Sequence, residues 1–289
     1  MSNLIPTKII TDEGIIAIKN GIKPNKSNLV PVERKPSWLR VNLNTSSKYK
    51  ELKKIVHQKK LNTVCEEAMC PNINECWNHG TATFMLLGSV CTRACKFCAV
   101  DTGNPKRKLD SREPHKVATS ISLMNIKYAV LTSVNRDDLT DGGADHYAKT
   151  VKAIKEMTPE VTVEALAPDF LGQKNSIELL LDSGLEVLSY SKQYKPSVIT
   201  KTSLMLGLGE THDEVYKTMK DIRSQDVDIL TLGQYMRPTI NHLPVKKWYT
   251  PEEFYFLKEK AISLGFLDVA SGPLVRSSYR ADRIASLIK

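Results

Sequence analysis

The chain has 289 residues, of which 41% are hydrophobic and 25% charged, and its formal net charge is +9. This length and composition fit one barrel-sized α/β domain with appendages and exclude disordered, collagen-like and low-complexity chains. No apolar run approaches the roughly 18 residues that cross a bilayer, so we predict no membrane partner.

The amino-terminal region, residues 1–80, carries most of the excess positive charge. It lacks the apolar core of a secretory signal, and Asp12 and Glu13 argue against an acid-poor transit peptide, so we predict a cytoplasmic protein. The charge leaves open binding to nucleic acid or to an acidic protein. There is no basic motif with interleaved aromatic residues and no zinc-finger histidine pair, so we expect no nucleic-acid partner.

All six cysteines lie between residues 65 and 98, in two triplets. The first triplet is Cys65, Cys70 and Cys76, and the second is Cys91, Cys95 and Cys98. Cysteines concentrated in this way, without an export signal, indicate thiolates that hold metal rather than a disulfide scaffold. Zinc is less favoured, because zinc sites prefer paired Cys-x2-Cys units and four ligands. A loop of three cysteines suits a [4Fe–4S] cluster with one iron left open for chemistry.

The second triplet follows an apolar run, residues 81–88, that predicts a buried strand. A cluster there would lie at the carboxyl end of a strand, where barrel enzymes build their active sites. Thr92, Arg93 and Lys96 would place hydrogen-bond donors and positive charge beside the sulfurs, although a solvated loop is the alternative.

The Cys91-x3-Cys95-x2-Cys98 spacing, with Phe97 before the last cysteine, resembles the signature of radical S-adenosylmethionine (SAM) enzymes. Further stretches resemble the lipoyl synthase family within that superfamily. They are residues 63–77, 132–144, 205–210, 231–235 and 272–279. Because these stretches occur in the family's order over residues 38–279, the chain is identified as a member of that family.

The middle of the chain alternates strand-like and helix-like segments. The predicted strands are residues 128–134, 161–167, 202–208 and 229–235, and the predicted helices are residues 144–157, 175–183, 213–224 and 251–264. Repeating βα units imply a parallel sheet, flat or closed. The resemblance selects a partial (β/α)6 barrel. Its expected parts are a basic extension with the auxiliary-cluster motif (1–80), the barrel (81–270) and a tail closing the auxiliary cluster (271–289).

One predicted unit is short. Residues 185–188 should be the fourth strand and Lys201 should begin the fifth, which leaves residues 189–200 for the crossover. A parallel crossover needs at least about 10–12 residues, usually more, and this one contains Pro196. Against the family pattern, residues that we expect to help bind SAM are missing after Val187. The alternatives are a natural shortened variant, a splice or assembly error, and a chain whose fourth unit is replaced by something simpler. An inactive shortened variant is the corresponding alternative for the function.

The resemblance implies two [4Fe–4S] clusters and SAM. The cluster on the second triplet would cleave SAM to methionine and a 5′-deoxyadenosyl radical. The radical would abstract hydrogen at C6 and C8 of an octanoyl chain on a carrier-domain lysine, and the auxiliary cluster on the first triplet would be consumed as sulfur donor. Its fourth ligand would be Ser277, with Ser278 as the alternative, since a hydroxyl is a displaceable iron ligand.

The remaining site predictions concern SAM and partners. Gly207 and Gly209 would let SAM approach the backbone, and Lys201 and Gln234 are candidates for its carboxylate and adenine; each could equally be structural. Aspartates 137, 138 and 141 favour a helix-capping turn over a metal site. Expected partners are octanoylated carrier domains of 2-oxoacid dehydrogenase complexes, the glycine cleavage H protein, an electron donor and a cluster-repair protein. A structural iron–sulfur protein and another sulfur-inserting radical SAM enzyme are the alternatives.

Overall fold

The computed structural model describes residues 8–22, 30–40, 46–79, 81–183 and 197–278. The predicted fourth strand, residues 185–188, and most of the short crossover lie outside these ranges. The described residues form two compact units. The first contains residues 8–22, 46–79 and 81–183, and the second contains residues 30–40 and 197–278.

The first unit contains the parallel strands that the sequence predicts at residues 81–88, 128–134 and 161–167. Its elements are, in chain order, β1 (Lys8–Ile10), β2 (Ile16–Ile18), α1 (Ser47–Lys59), β3 (Asn62–Thr63), α2 (Val64–Glu67), α3 (Ile73–Asn78), β4 (Ala82–Leu86), β5 (Val90–Cys91), β6 (Asp101–Gly103), α4 (Glu113–Leu123), β7 (Tyr128–Ser133), α5 (Ala144–Met157), β8 (Thr162–Leu166) and α6 (Lys174–Asp182). The predicted strand at residues 81–88 is confirmed as β4, which is buried along its whole length.

The larger sheet of this unit has the order β3-β4-β7-β8. Strands β4, β7 and β8 are parallel, with Leu131 paired to Phe84 on one side and to Ala165 on the other. Helices α4 and α5 lie between these strands in the chain and pack against each other. Helix α4 was not predicted from the sequence, although Pro114 in its first turn is a helix-start signal.

A second sheet in the same unit has the order β1-β2-β6-β5. Strands β1 and β2 form an antiparallel hairpin, and β2 pairs antiparallel with β6. We predicted only a basic extension here. The hairpin has a sequence signal, because isoleucine pairs flank the turn residues Thr11 to Gly14.

The second unit contains β9 (Lys201–Leu206), α7 (His212–Arg223), β10 (Ile229–Gln234), α8 (Pro251–Ser263) and β11 (Asp268–Gly272). All three strands are parallel, in the order β11-β10-β9. Both helices begin with a capping box, in which a threonine and a glutamate three residues later satisfy the first backbone N–H groups. Their apolar faces, including Met219 and Leu257, pack with Leu230 and Leu232 of β10.

The described strands and helices confirm the predicted α/β class with parallel sheets. Predicted and observed ends differ by one or two residues because terminal turns and strand ends depend on local hydrogen bonding. Strand β11 was not predicted. Closure of the strands into a barrel and the division at residues 80 and 270 stay predictions. None of the described helices combines the length and the apolar character that a membrane span requires.

Candidate iron–sulfur site

The second cysteine triplet lies on a loop between two paired strands. Cys91 ends β5, and Cys95 and Cys98 follow before β6 begins. The backbone N–H of Arg93 donates to Cys91 Sγ at 3.4 Å, and that of Cys98 donates to the Cys95 carbonyl at 3.0 Å. Burial raises the pKa of Cys98, and the thiols of Cys95 and Cys91 raise it further. The loop therefore brings three thiols close enough to interact electrostatically.

The first triplet is held by two short helices. Cys65 lies in α2 and Cys76 in α3, both buried, and the backbone N–H of Cys70 donates to the Cys65 carbonyl at 3.0 Å. Burial raises the pKa of the Cys65 thiol to about 11, and neighbouring Cys70 adds to that rise. All six cysteines are thiols rather than disulfides.

Charged side chains next to the two triplets influence one another. Burial raises the pKa of Glu67, two residues after Cys65, and Lys19 opposes this rise while Asp101 adds to it. Asp101 comes three residues after Cys98 and also forms an ion pair with Lys19 at 3.4 Å.

The donor chemistry of each triplet fits an iron–sulfur cluster. In the described ranges, no three His, Cys, Asp or Glu side chains converge on a point that would hold one metal ion. A cluster makes a different demand, because each thiolate of a [4Fe–4S] cluster binds its own iron. Each triplet offers three separate thiols, the first on α2, α3 and the turn between them and the second on one loop. A [4Fe–4S] cluster bound to three thiols keeps one iron for another ligand.

Arg93 fastens the second cysteine loop to the carboxyl ends of two parallel strands. Its guanidinium binds both carboxylate oxygens of Asp137, with a shortest contact of 2.7 Å, and both of Asp169, at 2.7 and 2.8 Å. Asp137 follows β7 and Asp169 follows β8. Hydrogen bonds from Arg93 hold the pKa of both carboxyl groups below their usual range. Paired bidentate contacts of this kind fix geometry as well as charge.

This arrangement corrects the expected role of Thr92 and Arg93. The Thr92 hydroxyl lies 2.9 Å from an Asp137 carboxylate oxygen and accepts the Asp137 backbone N–H at 3.0 Å. The Arg93 guanidinium is paired with two carboxylates, so its side chain positions the loop. Its backbone N–H, and not its guanidinium, is the group that contacts a cysteine sulfur. Sequence reasoning missed Asp169. Its signal is a polar residue after a parallel strand, at the sheet edge that Asp137 shares.

The turn before the loop depends on buried charged groups. Leu87 has a left-handed backbone, with φ of 71°. Its N–H donates to Glu113 Oε2 at 2.9 Å, and its carbonyl accepts from Arg136 Nη1 at 3.0 Å. Glu113 also lies 2.8 Å from His146 Nε2. A non-glycine residue in this conformation persists because the surrounding contacts hold it.

The three clustered aspartates have separate partners. Asp137 pairs with Arg93, and Asp138 pairs with Arg136 at 2.8 Å. The Asp141 carboxylate accepts the N–H groups of Gly143 and Asp145 at the start of α5, both at 2.9 Å. The predicted helix-capping turn is confirmed for Asp141.

Arg136→Met is expected to lower the free energy of unfolding by about 3–5 kcal/mol, because it leaves a buried carboxylate without its partner. The Arg136 side chain is 1% exposed and that of Asp138 is 7% exposed. Urea unfolding of the cluster-free chain measures the effect. Arg112→Met is the matched control, since Arg112 is 81% exposed in a 3.9 Å ion pair and should cost less than about 1 kcal/mol. Equal losses in the two variants would contradict the buried role of Arg136.

The glycine-rich turn after β9 is occupied by a side chain of its own loop. Gly207 and Gly209 have φ of 107° and 124°. The Glu210 carboxylate accepts the N–H groups of Gly207, Leu208 and Gly209 at 2.5, 2.9 and 3.0 Å. A Cβ atom on Gly207 would lie 2.2 Å from Gln234 Nε2. Packing and turn geometry therefore require Gly207.

Gln234 is buried and its amide is engaged by the backbone. Its Nε2 lies 3.0 Å from the Lys247 carbonyl, and its Oε1 accepts the Tyr249 N–H at 2.9 Å. These contacts favour the structural alternative for Gln234. Lys201 is the first residue of β9, whereas Gly207 follows its last, a separation of roughly 20 Å along a strand. The structure does not bring Lys201 together with the other three SAM candidates.

Ser277 and Ser278 lie in a turn after β11. The chain leading to them passes close to β10, because a Cβ atom on Gly233 would lie 2.1 Å from the Val275 carbonyl oxygen. This close approach fixes the path of residues 273–276 in the second unit. Ligation of the auxiliary cluster by Ser277 stays a prediction.

A three-cysteine loop anchored at the carboxyl ends of parallel strands is typical of the radical SAM class. A lipoyl synthase of Legionella pneumophila (strain Corby) is 52% identical over 305 aligned positions, covering 96% of this chain and 92% of the relative. A lipoyl synthase of Deinococcus radiodurans is 55% identical, covering 92% and 89%, and one of Francisella philomiragia is 52% identical, covering 96% and 93%. The chain belongs to the lipoyl synthase family.

Two further comparisons concern family models and solved structures. No family model matches the chain. Among solved structures, methylornithine synthase is similar with a TM-score of 0.46 and 10% identity, over 70% of this chain and 76% of that one.

Membership in the family confirms the prediction of a sulfur-inserting radical SAM enzyme that needs iron–sulfur clusters and SAM. The alignment of 305 positions is longer than the 289 residues of the chain, so it contains residues of the relative that have no counterpart here. This agrees with the prediction of missing residues. Their place after Val187 stays a prediction.

Proposed function

We propose that this chain inserts two sulfur atoms, at C6 and C8 of an octanoyl chain on the lysine of a lipoyl carrier domain, using two [4Fe–4S] clusters. The observation that carries the proposal is the anchored loop of Cys91, Cys95 and Cys98. Arg93 ties this loop to residues that follow β7 and β8, at the strand ends where α/β enzymes bind their ligands.

In this proposal Cys91, Cys95 and Cys98 hold the cluster whose open iron binds SAM. That cluster would supply one electron to SAM, which breaks its C5′–S bond and yields methionine and a 5′-deoxyadenosyl radical. The chain contributes binding, orientation and exclusion of water. The Arg93 N–H donates to Cys91 Sγ, and hydrogen bonds to cluster sulfurs tune cluster potential. The Arg93 side chain fixes the loop and leaves no unpaired positive charge beside it, because its guanidinium is paired with two carboxylates.

The first triplet would hold the cluster that donates sulfur. Cys65 and Cys76 are buried and Cys70 lies between their helices, so the three thiols can bind three irons. Ser277 would be the fourth ligand. A hydroxyl binds iron more weakly than a thiolate does, which suits a cluster that gives up its sulfide.

The family name indicates the substrate class. We propose octanoylated carrier domains of 2-oxoacid dehydrogenase complexes and the glycine cleavage H protein as substrates. An electron donor and a protein that rebuilds the auxiliary cluster are the further partners, because each turnover needs electrons and consumes two sulfides.

Anaerobic reconstitution with iron and sulfide, followed by SAM and an octanoyl-lysine peptide, tests this function. We expect a peptide that has gained two sulfur atoms, together with 5′-deoxyadenosine, both measured by mass spectrometry. Formation of 5′-deoxyadenosine without a thiolated peptide would indicate another radical SAM activity. Absence of both, with iron bound, would indicate the inactive shortened variant.

The short crossover that the sequence predicts at residues 189–200 leads to a separate prediction. In the described ranges β8 and β9 are edge strands of their sheets, and unpaired strand edges favour aggregation. Inserting a family-length segment between Val187 and Leu188 should therefore raise the melting temperature and the affinity for SAM. Scanning calorimetry and equilibrium dialysis measure the two effects. Equal melting temperature and equal affinity with and without the segment would mean that the segment is dispensable.

A further inference from the structure

The amino-terminal hairpin packs directly on the cysteine loop. The hairpin, residues 8–22, contains β1 and β2, and β2 pairs with β6 through Ala17 with Gly103 and Ile18 with Thr102. Strand β6 in turn pairs with β5, where Cys91 is opposite Thr102. The hairpin therefore extends the two strands that bracket Cys91, Cys95 and Cys98.

Contacts beyond the strand pairing lie at the Cys98 end of the loop. Gly21 has φ of 75°, and a Cβ atom on it would lie 2.6 Å from the Val100 carbonyl oxygen and 3.1 Å from that of Cys98. Real side chains do not occupy such positions, so the hairpin backbone reaches the loop backbone only because residue 21 is glycine. The Thr102 hydroxyl donates to the Gly21 carbonyl at 3.0 Å.

Polar and apolar groups secure the same junction. The Asn20 N–H donates to Asp101 Oδ1 at 2.7 Å, and the Asp101 side chain is only 9% exposed. On the other side, Ile15 and Ala17 pack with Val90, the residue before Cys91. The loop is thus held by the hairpin immediately before its first cysteine and immediately after its last.

We propose that the hairpin is a positioning element of the cysteine loop, acting through the close approach of Gly21 to the backbone of Cys98 and Val100. This rests on the proposed function only in assigning the loop to an iron–sulfur cluster. A loop held at both ends keeps its thiols in place before a cluster binds, and such preorganisation lowers the cost of binding.

Two glycines of the hairpin provide a matched pair of variants. Gly14 and Gly21 have nearly equal φ, 72° and 75°, so alanine introduces similar backbone strain at either position. A Cβ atom on Gly14 meets nothing within 4 Å, whereas one on Gly21 meets the loop backbone. Any difference between Gly21→Ala and Gly14→Ala therefore reports the contact with the cysteine loop.

The readout is the alkylation rate of each cysteine in the reduced, cluster-free chain. Peptide mass spectrometry measures this rate. Gly21→Ala should raise the rate at Cys98 by about tenfold, since loosening the junction populates the open loop. The rates at Cys65 and Cys76 should stay unchanged. Gly14→Ala should leave the Cys98 rate within about twofold of the original. Equal rates at Cys98 in the two variants would overturn the proposal. Since no cluster or SAM is present, this result is independent of the proposed function.

A second pair of variants covers the case in which Gly21→Ala fails to fold, which would expose all six cysteines alike. Asp101→Leu removes the acceptor for the Asn20 N–H, and Asp101→Asn keeps one. We expect faster alkylation of Cys98 with leucine and recovery with asparagine. After reconstitution, Asp101→Leu should also alter the SAM-induced change in the electron paramagnetic resonance spectrum, and Asp101→Asn should restore it. Identical behaviour of the two variants would contradict a positioning role.

Discussion

Replacing Cys91, Cys95 and Cys98 together with alanine is expected to leave about half of the iron of the reconstituted chain and to reduce SAM cleavage below detection. The original chain should bind about eight irons, because in the proposed function each triplet would hold a [4Fe–4S] cluster that is one cysteine short of four. Iron and sulfide analysis and the yield of 5′-deoxyadenosine measure the two effects. The physical reason is that this variant keeps the first triplet but loses the three thiols that would hold the SAM-binding cluster.

The control for this variant is a chain with Arg93→Lys, which keeps all six thiols. Lysine cannot bind two carboxylates bidentately, so cluster binding should weaken while its stoichiometry at saturating iron is retained. Zinc in place of iron in the original chain would contradict the assignment. Iron content unchanged by the triple replacement would contradict it as well.

Replacing Cys65, Cys70 and Cys76 together is expected to preserve 5′-deoxyadenosine formation and to stop sulfur insertion. In the proposed function the radical would form at the other triplet, whereas the sulfur would come from the cluster lost in this variant. Mass spectrometry of the octanoyl-lysine peptide should detect no sulfur. Hydrogen abstraction should still be detectable as deuterium in 5′-deoxyadenosine when the peptide is deuterated at C6 and C8.

This second variant also distinguishes the source of sulfur. If it still thiolates the peptide, sulfide is delivered from solution or from another protein. Loss of both 5′-deoxyadenosine and sulfur insertion would mean that the triplets are not separate in function. The second result is a meaningful test, since charges beside the two triplets, those of Asp101 and Glu67, influence each other.

Much of the fold could be predicted because its signals are local. The helix at residues 144–157 has the bounds that apolar periodicity predicts, and the helix predicted from residue 251 begins there, after a Thr250 cap. Helix α4 and strand β11 were missed. Both carry small or polar residues that weaken the periodic signal, and their place is fixed by packing and pairing with neighbouring elements.

The candidate site divides in the same way. The cysteine spacings predict cluster ligands, because a cluster needs several thiols within a short segment of the chain. For Gln234 the sequence leaves two roles open. A polar residue at the end of an apolar strand can contact a ligand or can be structural. Only the neighbouring backbone, at Lys247 and Tyr249, explains its buried amide.

The sequence by itself determined the two three-cysteine loops, the βα alternation, the short crossover and the resemblance that family membership confirms. The tertiary structure decided that Arg93 binds both Asp137 and Asp169. It also decided that Gly21 lies against the backbone carbonyls of Cys98 and Val100. Spacing and periodicity act over a few residues. Arg93 and Asp169 are 76 residues apart in the sequence. They come into contact because β7 and β8 are adjacent parallel strands whose carboxyl ends lie at one edge of the sheet.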